Sequence, residues 1–282
     1  MRPLQHPRRG CRHRFKLSHY RRNAPVVAPP LFAYVTRLHS PIHLKITLFI
    51  PCFVDLLFPK TAIGMVKIFE QLGHEVEYKP EITCCGQPAF NSGYWEEARP
   101  VAERTLDLLS DADVVVSASG SCGAMLKVFY GDLFNGTPRE AAAKQLASHC
   151  FEFSEFLVDQ LGVTDLGARF PGKATFHDGC HGMRELGVKT QPRKLLEKVA
   201  GLEMVEMKEA ESCCGFGGTF SAKFPAISTA MGEVKCASAV ETGADFIISN
   251  DSSCLMQIQG LLDRQGLPMK SFHLAEVLAS GW

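Results

Sequence analysis

The sequence predicts an α/β protein: two tandem, pseudo-twofold-related parallel-sheet domains with cysteines at the carboxyl ends of their strands. Three observations carry this. A Cys-Cys-Gly triplet occurs twice, in "ITCCGQPAF" from Ile82 and in "ESCCGFGGTF" from Glu211. Flanking cysteines repeat around it, as C-x31-C-C-G-x35-C from Cys52 to Cys122 and as C-x32-C-C-G-x38-C from Cys180 to Cys254. Each unit alternates short apolar runs with helically spaced segments, the order that produces parallel strands joined by right-handed crossovers.

The elements follow in chain order. Residues 1–44 form a basic arm rich in Arg, His and Pro with neither helical nor strand period, expected to be a disordered extension or a stretch upstream of the true translation start. A transit or twin-arginine export signal is the competing reading, weakened because "YRRNAPVV" lacks a long apolar run. The first domain, 45–163, opens with the buried strand "KITLFIP" ending at Cys52. The helix "TAIGMVKIFEQLG" comes next, with Gly73 as its stop, then the strand "HEVEYKP" leading to Cys84 and Cys85. Asn91 or Ser92 is expected to cap a helix through "YWEEARPVAERTLDLLS", and "ADVVVSASGSC" is a third strand with Cys122 just beyond it. The second domain, 168–282, repeats the plan. Its elements are "KATFHDGC", a helix through "QPRKLLEKVAG", "LEMVEMKEAESCCG", a helix from about Phe224 to Glu241, and "ADFIISNDSSC".

Composition narrows the function classes. A chain of 282 residues at 46% hydrophobic content can bury two cores. Its net charge of zero hides an asymmetry: residues 1–45 hold ten of the thirty Lys and Arg and no acid, so the remainder is acidic by ten charges. An acidic body does not suit a polyanion, and no nucleic-acid partner is expected. The most apolar stretch, "LKITLFIPCFVDLLF", is too short to span a bilayer and is broken by Pro51 and Asp55, so no integral membrane segment is expected. Eleven cysteines, an odd number in a chain of this length, point to metal ligation in a reducing compartment, and a cytoplasmic location is expected.

In a parallel sheet the strand carboxyl ends gather along one edge, where such sheets bind ligands. Cys52, Cys84, Cys85 and Cys122 should therefore converge, and Cys180, Cys213, Cys214 and Cys254 likewise. Four thiolates hold either a tetrahedral zinc ion or an iron–sulfur cluster. Adjacent cysteines favour the cluster, because consecutive sulfurs diverge from the backbone and reach different irons more easily than two vertices of one tetrahedron. Gly86 and Gly215 would let the backbone approach a bulky cluster and offer N–H groups to it. "GFGGTF" departs from G-x-G-x-x-G, so no nicotinamide site is assigned. In "FHDGCHGMR", His177 and His181 are candidates to tune or ligate the centre or to pass protons during substrate oxidation; the competing reading is that they cap the next helix. Cys11, Cys150 and Cys236 fall outside the repeat, and the latter two are read as small buried hydrophobes. The aromatics of "FYGDLF" and "FEFSEF" are read as core.

Through "IPCFVD", "CCGQPAFNSGY", "SGSC", "CCGFGGTFS", "SSCL" and "HLAEVL" the chain resembles the cysteine-rich CCG-domain proteins, which include the B subunit of heterodisulfide reductase and the iron–sulfur subunit of glycolate oxidase. Within them it looks closest to the lactate-utilisation protein A branch. The broader pattern has a fifth cysteine in a terminal C-x-x-C; here that position is Ser119 in one unit and Asp251 in the other. The four cysteines left in each unit suffice for an ordinary 4Fe–4S cluster, one per domain, and Asp251 is a candidate oxygen ligand. Related C-terminal domains can hold zinc instead, which makes zinc the alternative in the second domain. The resemblance implies an iron–sulfur electron-transfer subunit of an assembly that oxidises L-lactate or another 2-hydroxy acid, inactive without companion subunits, one of them a ferredoxin-like iron–sulfur protein. A thiol or heterodisulfide reductase subunit and a zinc-stabilised binding protein without redox activity are the alternatives.

Overall fold

The computed structural model describes residues 43–281. The basic arm, Cys11 included, lies outside the described residues except for its last two positions. Two parallel four-stranded sheets organise the chain, with the same strand order in each.

The first sheet runs β2-β1-β3-β4. Strand β1 (Lys45–Phe49) is central and buried after its first residue, as a run of apolar and β-branched side chains requires when both faces are covered. It leads into α1 (Cys52–Leu57) and α2 (Pro59–Gln71), and then to β2 (Glu75–Tyr78) at the sheet edge. Short α3 (Gln87–Asn91) and long α4 (Trp95–Leu108) precede β3 (Val114–Ser117). After β3, α5 (Gly120–Ala124) continues through a π turn, Met125–Phe129, into α6 (Tyr130–Leu133). Helix α7 (Glu140–His149), β4 (Cys150–Glu152) and α8 (Phe153–Glu155), which continues as a π turn over Phe156–Gln160, complete the unit.

The second sheet, β6-β5-β7-β8, repeats this arrangement. Its elements are β5 (Arg169–Phe176), α9 (Cys180–Leu186), α10 (Thr190–Leu196), β6 (Ala200–Met204), α11 (Thr219–Lys223) and α12 (Pro225–Glu241). They are followed by β7 (Phe246–Ser249), α13 (Ser252–Arg264), β8 (Lys270–His273) and α14 (Leu274–Leu278). No helix among the described residues is long and apolar enough to cross a membrane.

Two expectations are corrected. Each unit has four strands, not three: β4 and β8 are three and four residues long, too short to show a period of two, and they form only because β3 and β7 offer them a pairing edge. Neither Asn91 nor Ser92 caps α4. The N-cap is Tyr94, without a side-chain cap, because Asn91 closes α3 and the Ser92 hydroxyl is committed to the Pro88 carbonyl at 2.8 Å. Cys150 and Cys236 are fully buried, as expected, and Tyr130, Phe134, Phe153 and Phe156 belong to the core.

The units share their interior. One hydrophobic cluster joins Ile46, Leu48 and Phe69 of the first to Phe176, Leu274 and Val277 of the second. Helix α14 lies against α2 so closely that a Cβ on Gly64 would come 2.8 Å from the Ala275 carbonyl oxygen. A buried polar seam runs beside this contact. Glu152 Oε2 accepts from the Ser154 N–H at 2.8 Å, the Ser154 hydroxyl at 2.5 Å and the Glu155 N–H at 3.0 Å, while Oε1 accepts from Asn250 Nδ2 across the interface at 3.0 Å. Burial pushes the Glu152 carboxyl up to about 7 against the opposing pull of those donors.

That carboxyl gives stability a defined pH dependence. Between its ordinary value of 4.5 and about 7 the folded state holds a proton that the unfolded state has lost, so the stability it contributes is complete below the lower value and lost as pH rises through the upper. Denaturant unfolding of the protein is expected to lose on the order of 1–3 kcal/mol between pH 5 and pH 8 from this group. Glu152→Gln, whose amide can still pair with Asn250, should flatten the profile; an identical slope in both proteins would rule the assignment out.

Candidate metal centre

The four cysteines of each repeat arrive by the same route. Cys52 and Cys180 are the first residues of α1 and α9, immediately after the central strands β1 and β5. Cys84 and Cys85 lie in the loop between β2 and α3, and Cys213 and Cys214 in the loop between β6 and α11. Cys122 and Cys254 lie in the first turns of α5 and α13, after β3 and β7. Parallel strands leave no choice of edge, so each set of sulfurs converges. In the first set Cys85 Sγ is 3.4 Å from Cys122 Sγ, and Cys84 bonds through its side chain to both Cys52 and Cys85. In the second, the free thiol side chain of Cys213 is hydrogen-bonded to those of Cys180 and Cys214, and Cys214 in turn to Cys254. All eight cysteines line one cleft between the two units, where Phe53 and Phe216 meet edge to face at 5.5 Å.

The electrostatics single out one sulfur in each set. Hydrogen bonds from Cys52 and Cys85 hold Cys84 down at about 3 despite its burial, and the Gly86 N–H adds a further bond at 3.4 Å. Cys180 and Cys214 hold Cys213 down at about 2 in the same way, with the Gly215 N–H at 3.3 Å. Cys52 and Cys180 are pushed up by sharing those bonds and by burial. In each set the sulfur held down is the one most readily deprotonated, and a thiophilic metal that binds there competes with protons at the sulfurs pushed up.

The donor spacing tests what each set can hold. A single tetrahedral zinc ion with sulfurs at about 2.3 Å sets its ligands about 3.8 Å apart. Among the described residues, the one group of three or more donors lying within 4.8 Å of one another is His177, Cys214 and Cys254. Among the described residues no three donors of the first set lie that close together, so the first set is not a preformed shell for a lone ion. The second set has the same four-sulfur pattern, and two of its sulfurs, Cys214 and Cys254, form this compact group with His177.

The remaining candidates are placed as follows. His177 is fully buried behind the second set with neither ring nitrogen hydrogen-bonded, and burial, helped by the charge of Lys235, depresses it to about 3, so the imidazole is neutral. His181 lines the cleft, its Nδ1 3.5 Å from Gln87 Nε2 and its ring edge-on to Phe129 at 5.7 Å. Asp251 has both carboxylate oxygens occupied by hydrogen-bond donors. Gly86 and Gly215 give N–H groups to sulfur, and a need for glycine also comes from behind the loops. Their φ angles are +86° and +87°, and a Cβ would meet the Ala98 oxygen of α4 at 3.2 Å or the Ser228 oxygen of α12 at 2.3 Å.

Sequence reasoning passed over Gln87, whose amide donates to the Ser121 carbonyl at 2.8 Å, and Lys235, which is fully buried and donates to the Glu209 and Ala210 carbonyls below the second set. A lysine in an α12 register otherwise occupied by Ser228, Gly232 and Ala239 was the available signal for the second.

Comparison with known proteins agrees with this architecture. A family model described as a cysteine-rich domain, CCG, matches residues 46–127 and again 174–259. The lactate utilization protein A of Geobacillus kaustophilus (strain HTA426) is 46% identical over 236 residues, covering 83% of this chain and 98% of that protein. The protein of the same name from Exiguobacterium sp. (strain ATCC BAA-1283 / AT1b) is 46% identical over 240 residues, covering 84% of this chain and 98% of its own length. Among solved structures, a hypothetical protein from Helicobacter pylori superimposes with a TM-score of 0.59 at 13% identity, over 84% of this chain and 49% of that one, a likeness of fold alone.

The glycine geometry yields a paired test. Gly215→Ala combines a disfavoured φ with a backbone collision, whereas Gly187→Ala, at φ +72° with open space around it, meets only the first. Thermal unfolding of the metal-free proteins should show a loss of about 1 kcal/mol for Gly187→Ala and about 3 kcal/mol for Gly215→Ala. Equal losses would show that α12 does not constrain the loop.

Proposed function

Because the chain belongs to the lactate utilization protein A family, with its two cysteine-rich domains, we propose that it is an iron–sulfur electron-transfer subunit of a multi-protein system that oxidises L-lactate or a related 2-hydroxy acid. The observation that carries this reading is the convergence of all eight repeat cysteines on one cleft. Each unit, 45–163 and 168–282, would contribute one centre, held by Cys52, Cys84, Cys85 and Cys122 in the first and by Cys180, Cys213, Cys214 and Cys254 in the second. When bound, a 4Fe–4S group supplies reversible one-electron transfer at each centre.

The chain's own residues supply the surroundings. The depressed sulfurs Cys84 and Cys213 are the ones most readily deprotonated for metal, because the neighbouring thiols and the glycine N–H groups donate to them. Cys85, Cys214 and Cys254 are buried, which restricts water at those three sulfurs, and Phe53 and Phe216 meet in the cleft that the sulfurs line. The cleft is lined by His181 with no Lys or Arg among the described residues, an environment poor in groups to grip a carboxylate. The same reading assigns removal of hydride from the 2-hydroxy acid to a companion subunit, a ferredoxin-like iron–sulfur protein as the further electron carrier, and the cytoplasm as the location. His177 and His181 remain candidates for tuning the second centre or moving protons at it. A second reading applies to the second centre alone: the compact His177, Cys214 and Cys254 group favours zinc there.

Anaerobic purification should give brown protein with iron and acid-labile sulfide at about four each per filled centre. Cys85→Ser and Cys214→Ser should each remove one centre's share, and addition of lactate with the companion proteins should reduce the clusters. Unchanged iron in both variants would sink the ligand assignment, and one equivalent of zinc that survives Cys85→Ser but not Cys214→Ser would support the second reading.

A further inference from the structure

Ser119 and Asp251 hold matching places in the two repeats, each three residues before the cysteine in the helix that follows the third strand. They touch. The Ser119 hydroxyl donates to Asp251 Oδ2 at 3.1 Å across the interface, and the Ser121 N–H donates to the same oxygen at 2.9 Å. Asp251 Oδ1 accepts from the Ser253 N–H at 3.2 Å and from the Ser253 hydroxyl at 2.5 Å, capping its own helix. The carboxylate is 3% exposed and forms no ion pair among the described residues, so its four donors compensate it. Beside it the Gly120 N–H donates to the Asn250 carbonyl at 3.3 Å, and a Cβ on Gly120 would approach the Gly182 Cα to 3.1 Å.

One carboxylate thus holds the first turns of two helices from different units: α5, which carries Cys122, and α13, which carries Cys254. We infer that Asp251 is a positioning residue shared by both centres, fixing Cys122 of one and Cys254 of the other so that the geometry of each depends on the same group. This rests on the reading of the two cysteine sets as metal centres, and it assigns Asp251 a role other than ligation: an oxygen engaged by Ser119 and Ser121 cannot also turn to a metal without releasing α5.

The coupling can be measured without metal. Wild-type and variant proteins, metal-free and reduced, are alkylated with iodoacetamide and each cysteine is followed by mass spectrometry. Asp251→Ser keeps a hydroxyl to cap Ser253 but is too short to reach Ser121. Cys122 is expected to react at least threefold faster in that variant, with Cys52 unchanged and the core thiol Cys150 still protected. If Cys150 also reacts, the variant has unfolded, and the same measurement on Ser119→Ala, which deletes one donor from the first unit, decides; there Cys254 should accelerate with Cys122. Unchanged rates at Cys122 in both variants overturn the inference. In the loaded protein Asp251→Ser should lower the metal content of both centres together, unlike Cys85→Ser or Cys214→Ser. Loss confined to the second centre would reduce Asp251 to a cap of its own helix. Wild-type protein that binds no metal would fail the functional reading while the alkylation result stood by itself.

Discussion

Everything in this protein depends on strand direction. Eight sulfurs separated by up to about 200 positions meet because every strand in both sheets runs parallel to its neighbours, which leaves all carboxyl ends of a sheet on one edge. Reversing any one strand would send its cysteine to the far side of the sheet. The two edges then face one another across a single cleft, an outcome set by the shared core of α2, α14 and the central strands.

Holding two edges face to face requires more than apolar packing, because hydrophobic contact is tolerant of small slips. The buried seam supplies the directionality. Glu152 and Asn250 pair beside the shared core, and Asp251 reaches Ser119 and Ser121 near the sulfurs. Such groups are costly to bury and are retained only where each donor and acceptor is matched, which makes them a sensitive gauge of alignment. Strand β4 ends at Glu152, whose carboxylate caps α8, and β8 ends at His273, whose imidazole accepts from the Ala275 N–H at 3.1 Å. The short strands that lead to no repeat cysteine therefore build the interface instead.

The duplicated units are not chemically equal. Three residues before Cys52 stands Phe49, and three before Cys180 stands His177, both fully buried. Thr105 of α4, whose hydroxyl donates to the Cys84 carbonyl at 3.1 Å, has Lys235 of α12 as its counterpart seven residues beyond the carbonyl that each glycine loop packs against. An imidazole and a lysine amino group lie beneath the second set where a phenyl and a hydroxyl lie beneath the first. Net charge and nearby donors set the properties of a metal centre as strongly as its ligands do, so identical sulfur sets in these surroundings are expected to differ.

The sequence alone determined the α/β class, the duplication and the grouping of cysteines 52, 84, 85 and 122 and of 180, 213, 214 and 254, because spacing within a repeat and the strand-to-helix order are local signals that survive being read in one dimension. It also marked Gly86 and Gly215, and the structure adds a second constraint on them: the helix behind each loop is what a Cβ would strike. Strands β4 and β8 and the Phe53 and Phe216 contact had no such local signature, while Lys235 was marked only by its place in the buried register of α12. Nor could the chain reveal that Ser119 and Asp251, read separately as departures from a cysteine pattern, meet each other. Those features are pairings between residues as far apart as 163 positions, and only the packed tertiary structure decides which distant groups share one buried space.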